Sequence, residues 1–532
     1  MLFTSLSFVL FLIATVVFYY LLPNKAKWPW LLVSSLVFYA LADVRYLFFI
    51  LLTALSVYGV ALRLTAINQR QKDYIKSHKG QLTKEEKQAY KSKMKAKKWR
   101  WLLLVLFLNL GILAFTKYTN FAITNVNKLL SDAASLKTVD LIVPMGISFY
   151  TFQSLGYVID VYRDKQQAQR NPFKFLLFVS FFPQLVQGPI SRYGDLAPTL
   201  FEGHRFERKN VSYGAMRILW GYFKKVVLAD RMLVAVKTLV LPGEEGGYEY
   251  FGAYVFVAML FYAFQLYCDF TGGIDITIGI AESMGIKVTE NFRLPYFSKN
   301  IKEYWNRWHI TMGSWFTDYI FYPISVCGPM LKLSKWSRGH LPKWMGKRVT
   351  VYISCFVVWF ATGIWHGAAW NFIVWGLTNF AVIMISQELE PLYARFHGRF
   401  HLKNKPLYGV FEIVRTILLM SAIRMFDCYR DVPLTLSMLG SMFLKFDPAI
   451  FFNGSLLRIG LSASDYVILI VGFFVVLAVS LIKQKKGAVR DSFYSKPFGL
   501  FYHVMAVLLL AILVLGAYGE GYDSSQFIYN QF

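Results

Sequence analysis

Acidic side chains are few in this sequence, with 31 Asp and Glu against 57 Lys and Arg in 532 residues, and charged residues of both signs make up only 17% of it. Cysteine is scarcer still. The four, Cys268, Cys327, Cys355 and Cys428, lack paired metal-ligand spacing and mostly lie in or beside apolar stretches, so they read as small buried hydrophobes. Three catalytic signatures are missing. The absence of a Gly-x-Ser-x-Gly run argues against an acyl-enzyme on serine, and the absence of a His-Glu-x-x-His run or a Cys-His cluster argues against a zinc centre. No window alternates at the two-residue period of a barrel strand, and no internal repeat of the transporter kind is visible. The run from Leu2 to Leu22 lacks a preceding basic region and a small-residue cleavage site, so it is expected to stay as a first membrane span.

What remains is apolar. The chain is 56% hydrophobic and 18% aromatic with 48 phenylalanines, and many windows reach the roughly 20 apolar residues that a membrane-crossing helix needs. The expected fold class is all-α, a polytopic membrane helical bundle. The formal charge of +26 sits in loops between apolar runs, where positive-inside bias puts it, so lipid rather than nucleic acid is the expected partner.

Taken in order, the apolar runs are Leu2 to Leu22, Trp28 to Leu41 and Tyr46 to Leu62, followed by a polar stretch from Arg63 to Arg100. With 13 Lys or Arg against 3 acids, residues 63–100 are expected to be a basic cytoplasmic loop, which places Met1 outside. It is either a solvated helical hairpin that fixes topology or a docking site for a partner or anionic lipid. Trp101 to Phe115 and Leu141 to Tyr162 come next. Phe173 to Ile190, flanked by basic residues and broken by Gln187-Gly-Pro189, is expected to dip and return, which requires it to line a cavity or be buried in protein. Val226 to Leu241 leads to Glu244, Glu245 and Glu249, which are expected outside. Phe251 to Gly279 carries Asp269 and Asp275 near its middle, as ligands, proton carriers or hydrogen-bond acceptors that fix packing. The C-terminal helices of residues 395–532 include Leu407 to Phe426, Val467 to Ile482 and Phe498 to Ala517, and the acids Glu520 and Asp523 place the C-terminus outside. The sum is about 11 to 13 membrane segments with re-entrant elements, in one domain over residues 1–532, with both termini outside.

Chemistry is expected in residues 299–379, which put two histidines into apolar, tryptophan-rich surroundings. A polar ring at membrane depth costs several kcal/mol unless compensated, which makes it a functional-site hypothesis. Trp305, Trp308, His309, Met312 and Trp315 recur at helical spacing and predict one face of an amphipathic helix, while Arg307 and its basic neighbours hold the segment near the cytoplasmic interface. Arg348 and Arg395 bracket the next apolar stretch, so an even number of crossings lies between them and the chain must turn near Gly363 to Asn371. His366 sits at that turn. Gly363 and Gly367 form a small-xxx-small pair that admits another backbone, and Trp365, Trp370 and Trp375 are placed to wall a dry cavity. Moving an acyl group from a thioester to an alcohol needs a base near neutral pH, which His366 supplies. Asn371, the glycine-rich backbone or His309 are candidate oxyanion donors.

The chain resembles the membrane-bound O-acyltransferase family, in its alginate O-acetylation branch. The resemblance is carried by Pro144-Met-Gly-Ile-Ser-Phe-Tyr-Thr-Phe-Gln153, Phe182-Pro-Gln-Leu-Val-Gln-Gly-Pro189, Tyr267-Cys-Asp-Phe-Thr-Gly272, Glu290-Asn-Phe-Arg-Leu-Pro-Tyr296, Trp305-Asn-Arg-Trp-His-Ile310 and Trp365-His-Gly-Ala368, and the closing Gln526-Phe-Ile-Tyr-Asn-Gln-Phe532 resembles the family's ending. It implies that His366 is the membrane-core histidine and His309 its partner. With these, Asn371, Trp365, Arg307, Asp269 and Gln187 are the expected substrate-binding residues.

The leading expectation is an O-acetyltransferase of the bacterial plasma membrane acting on an exported or cell-surface polysaccharide. No permanently bound cofactor and no metal are expected. The donor substrate is a cytoplasmic acyl thioester, acetyl-CoA or an acyl carrier protein, and the acetyl group passes to the polysaccharide acceptor, with an extracellular acyl-relay transferase as partner. The alternatives are a D-alanyl transfer protein for teichoic acid, fed by an acyl carrier protein, and a polysaccharide exporter or flippase without enzyme activity.

Overall fold

The structure is a computed structural model, and it describes residues 3–130, 135–243, 247–402, 405–487, 489–494 and 499–518. Glu244, Glu245, Glu520, Asp523 and the closing motif 526–532, on which part of the topology reading rests, lie outside the described residues. No β-strand occurs among the described residues, and every apolar run marked in the sequence contributes at least one helix. Six described helices cross a bilayer by length and composition: Tyr46–Ser77, Lys84–Asn127, Ala253–Ser283, Val349–His366, Pro406–Tyr429 and Ala463–Lys485. Trp370–Glu388 with Glu390–Phe400, bent by 51° at their junction, is a seventh if the pair is one span, and Leu6–Leu21, Val432–Leu444 and Leu500–Leu515 are shorter apolar helices. Backbone contacts divide the chain into two compact units, residues 1–214 with 280–289, and residues 215–279 with 290–532.

In the first unit the basic stretch 63–100 is a helical hairpin rather than an open loop. Tyr46–Ser77 runs on past its apolar part and turns near Gly80, and Lys84–Asn127 starts on a reciprocal cap in which Thr83 and Glu86 each satisfy the other's backbone. Lysine, glutamine, glutamate and alanine are good helix formers, so solvated helix continues where apolarity ends. Ile147–Tyr162 begins at Gly146, whose φ of +72° and close approach to Leu185 (an added Cβ would lie 2.1 Å from its carbonyl oxygen) exclude any other residue. The run from Phe173 to Ile190 leaves the helix at its Gln-Gly-Pro end, as expected, and is also broken earlier, at Phe181. Pro172–Ser180 is capped by Asn171, Phe182–Leu185 is a single turn, and Gly188 lies hard against Gln184.

In the second unit, residues 215–240 are helical with a π-helical segment, Phe223–Ala229, in the middle. Successive residues of an α-helix point about 100° apart. Yet Lys224 and Lys225 both reach Ala253–Ser283: Lys224 bonds Asp275 at 2.7 Å and Lys225 bonds Asp269 at 2.5 Å. The wider π turn is the local feature that accompanies this double reach. Gly221 and Gly272 let the two backbones touch, each an added Cβ away from the other's carbonyl oxygen at 2.6 and 2.8 Å.

Candidate active site

The second unit holds both histidines, and each sits at a break in the backbone. Val349–His366 ends on His366, residues 367–369 are non-helical, and Trp370–Glu388 runs back beside it. The glycines decide how close the two helices come. A Cβ on Gly363 would lie 2.6 Å from the Phe372 carbonyl oxygen, and one on Gly376 would lie 2.5 Å from that of Trp359. The backbone admitted at Gly363 is thus that of the very next helix, and Gly376 is its partner in the contact. Gly367 instead makes room for the Phe372 ring, 2.2 Å from where its Cβ would be.

His366 is 8% exposed. Its ring lies 4.5 Å from Trp375 and 5.1 Å from Trp365, both edge-on, with Phe372 at 6.4 Å. Trp365 also meets the His309 ring at 5.9 Å, so one indole touches both imidazoles. Of the three tryptophans expected to wall a cavity, Trp365 and Trp375 are buried and Trp370 is half exposed.

The single amphipathic helix expected around His309 is not formed. Ile301–Arg307 stops, Trp308 is extended, His309 takes a left-handed conformation at φ +49°, and Ile310–Phe316 follows. Asn291 is the reason. Its carbonyl accepts the Ile310 N–H at 2.9 Å, its Oδ1 accepts the Thr311 N–H at 3.1 Å and the Thr311 hydroxyl at 2.9 Å, and Arg293 N–H donates to the Arg307 carbonyl at 2.9 Å. A positive φ on a non-glycine residue costs of order 1 kcal/mol or more and persists only where the surroundings fix it. The same contacts assign the imidazole. Because a backbone N–H can only donate, the Asn291 atom that faces Thr311 is an oxygen, and His309 Nδ1, 3.2 Å from it, carries the proton. The lone pair is therefore on Nε2. Burial, and secondarily the charge of Arg424, push this imidazole down to about 3, which keeps it neutral.

The other expected residues are distributed as follows. Asn371 stays with the site: its amide donates to the Phe426 carbonyl at 3.1 Å and ties the first turn of Trp370–Glu388 to the last turns of Pro406–Tyr429. Arg307 pairs with Glu303 at 2.5 Å, one helical turn away. Asp269 pairs with Lys225, which also holds Asp230 at 2.7 Å, while Asp275 takes Lys224 and, at 2.9 Å, Arg217. These are the contacts of the packing alternative for the two aspartates. Gln187 belongs to the first unit, fully buried, with neither amide atom hydrogen-bonded among the described residues.

Sequence reasoning passed over Asn291, Asn379 and Arg424. Trp305 Nε1 donates to Asn379 at 3.2 Å, joining Ile301–Arg307 to Trp370–Glu388. Arg424 stands over three indoles. Its signal was present, since an arginine inside an apolar run is a functional hypothesis by default. Among the described residues no three His, Cys, Asp or Glu side chains converge to hold a metal ion.

The profile of MBOAT, the membrane-bound O-acyltransferase family, matches residues 164–427. The chain is similar to the "Probable alginate O-acetylase AlgI" of Pseudomonas syringae pv. tomato, 33% identical over 361 residues that cover 67% of this chain and 60% of that protein. It is similar to the "Peptidoglycan O-acetyltransferase" of Helicobacter pylori, 31% identical over 414 residues that cover 71% of this chain and 69% of the relative. With the "Teichoic acid D-alanyltransferase" of Bacillus subtilis it shares 31% identity over 252 residues, 46% of this chain and 59% of the relative. The matched stretch thus spans 60% of the length of the first of these relatives. An all-helical apolar chain with two buried, indole-enclosed histidines, matched over most of its length by proteins of this kind, belongs to the membrane-bound O-acyltransferase family.

Proposed function

We propose that the chain transfers an acyl group, acetyl in the first instance, from a cytoplasmic thioester to a hydroxyl of a cell-surface or exported polysaccharide, or of a relay partner that serves it. The observation that carries the reading is His366, an imidazole buried where two tightly packed apolar helices break and boxed by Trp365 and Trp375. Names borne by the relatives support the chemistry, since alginate and peptidoglycan both offer sugar hydroxyls.

In this reading His366 takes the proton of the acceptor hydroxyl as its oxygen attacks the thioester carbonyl. The C–O bond forms, the C–S bond breaks, and the leaving thiolate recovers the proton from the imidazolium. His309, held neutral with Nδ1 protonated, serves as the partner position, and the indoles exclude water that would otherwise hydrolyse the thioester. Trp365 and Asn371 are the expected substrate-binding residues that lie with this site.

Purified protein given labelled acetyl-CoA and a polysaccharide acceptor is expected to release free thiol and label the acceptor, and His366→Ala is expected to lower the rate about 100- to 10,000-fold. Labelling that survives the substitution removes the base role. A D-alanyl reading is favoured by the similarity to the teichoic acid relative. It requires an acidic carrier protein as donor, and capture of such a carrier together with indifference to acetyl-CoA selects it.

A further inference from the structure

Arg424 lies on Pro406–Tyr429, a helix apolar enough to cross a bilayer, and is 5% exposed. Its guanidinium carbon stands 5.0 Å over the Trp308 ring, 5.1 Å over Trp375 and 5.7 Å over Trp305. A cation on an indole face is attracted by the ring quadrupole, most strongly where water is excluded. Two backbone segments supply these indoles, Ile301–Arg307 with its cap Trp308, and Trp370–Glu388.

The charge itself is loosely compensated. Asp427 is 3.8 Å away, the Tyr304 hydroxyl accepts a hydrogen bond, and Nε has no partner among the described residues. Replacing both members of a buried ion pair by apolar residues of similar volume is often neutral or stabilising. Packing alone would thus be served as well by an apolar pair at positions 424 and 427. A guanidinium in this place does something methionine cannot: its charge is attracted to several ring faces at once and so favours one arrangement of them.

Those planes border the histidines. Trp375 lies 4.5 Å from the His366 ring, and Trp308 shares Phe270 with His309, at 6.0 and 5.0 Å. We propose that Arg424 is a positioning residue of the acyl-transfer site, whose guanidinium sets the Trp375 indole against His366 and the Trp308 indole that shares Phe270 with His309. The inference rests on the acyl-transfer reading above and adds a residue to it.

The test compares wild type, Arg424→Met and Arg424→Lys as full-length protein. Three quantities are read: kcat and KM for labelled acetyl transfer, thermal unfolding, and the rate at which diethylpyrocarbonate modifies His366 and His309, mapped by peptide mass. The expected result is an Arg424→Met protein that unfolds at a lower temperature because Asp427 loses its cation, with kcat down at least 10-fold, KM within about 2-fold, and histidine modification several-fold faster. Arg424→Lys, charged but not planar, is expected to recover less than half of the lost kcat. Should Arg424→Met fail to fold because Asp427 is stranded, the double variant Arg424→Met with Asp427→Leu removes both charges and is read in the same way. Wild-type kcat and wild-type modification rates in a folded methionine variant overturn the inference. Wild type that transfers no acetyl group overturns the functional reading instead, and the modification rates then decide for or against Arg424 by themselves.

Discussion

Two clusters of buried charge in the second unit are built on opposite lines. Between the π-helical segment and Ala253–Ser283, every cation has a carboxylate within hydrogen-bond reach: Lys225 with Asp269 and Asp230, Lys224 and Arg217 with Asp275, at 2.5–2.9 Å. Around the histidines, Arg424 has its carboxylate at 3.8 Å and leans on indoles instead. A cation that is fully neutralised is inert toward anything else and serves to join helices. One left with a spare donor over the indole that touches His366 still has a field to exert. Intramembrane charge is therefore informative in proportion to how incompletely it is paired.

The largest expected difference between the clusters is in chemistry. His366→Ala is expected to lower acyl transfer about 100- to 10,000-fold while leaving the unfolding temperature little changed, as read by turnover and by thermal unfolding of the same preparation. Lys225→Met should do the reverse. It strands two buried carboxylates and is expected to cost about 3–5 kcal/mol, seen as loss of folded protein in detergent by size-exclusion chromatography. A folded, stable Lys225→Met protein that has lost turnover would show that the paired cluster is more than architecture.

A smaller effect is expected at the helix contact that carries His366. Gly376→Ala places a methyl 2.5 Å from the Trp359 carbonyl oxygen, and overpacking of this kind costs about 1–3 kcal/mol. The checks are a lowered Tm and a reduced kcat, because the contact fixes the end on which His366 sits. Last, because it is felt only in acid, is the pH response of His309. Its folded pKa is depressed to about 3, so between the ordinary histidine value near 6.5 and that point the unfolded chain binds a proton that the folded one does not. Stability is then fully present above pH 6.5 and declines as the pH falls toward 3. His309→Gln is expected to flatten that part of the Tm-against-pH curve, and an unaltered curve would show that His309 is not held neutral.

The histidines themselves were legible because their cost is local: an imidazole beside tryptophan and glycine in an apolar run stands out residue by residue. The turn at 367–369 was legible too, since two basic flanks force an even number of crossings between them. The break at His309 was not, because it is imposed by Asn291, 18 residues earlier, through hydrogen bonds that no periodicity encodes. Trp305, Trp308 and Trp315 keep helical spacing across a backbone that is not one helix. Asp269 and Asp275 illustrate the same limit, since no spacing along the chain announces that Lys225 and Lys224 stand opposite them.

Transfer energies that act on a residue and its near neighbours were enough to mark this chain as a helical membrane protein, to locate its apolar runs and to single out the costly imidazole. Only the tertiary structure decided which charges cancel, which indoles enclose the histidines and that Arg424 belongs with them. Those outcomes depend on side chains brought together from Asn291, Trp308, Trp375 and Arg424, and pairing at a few ångströms is set by packing rather than by distance along the chain.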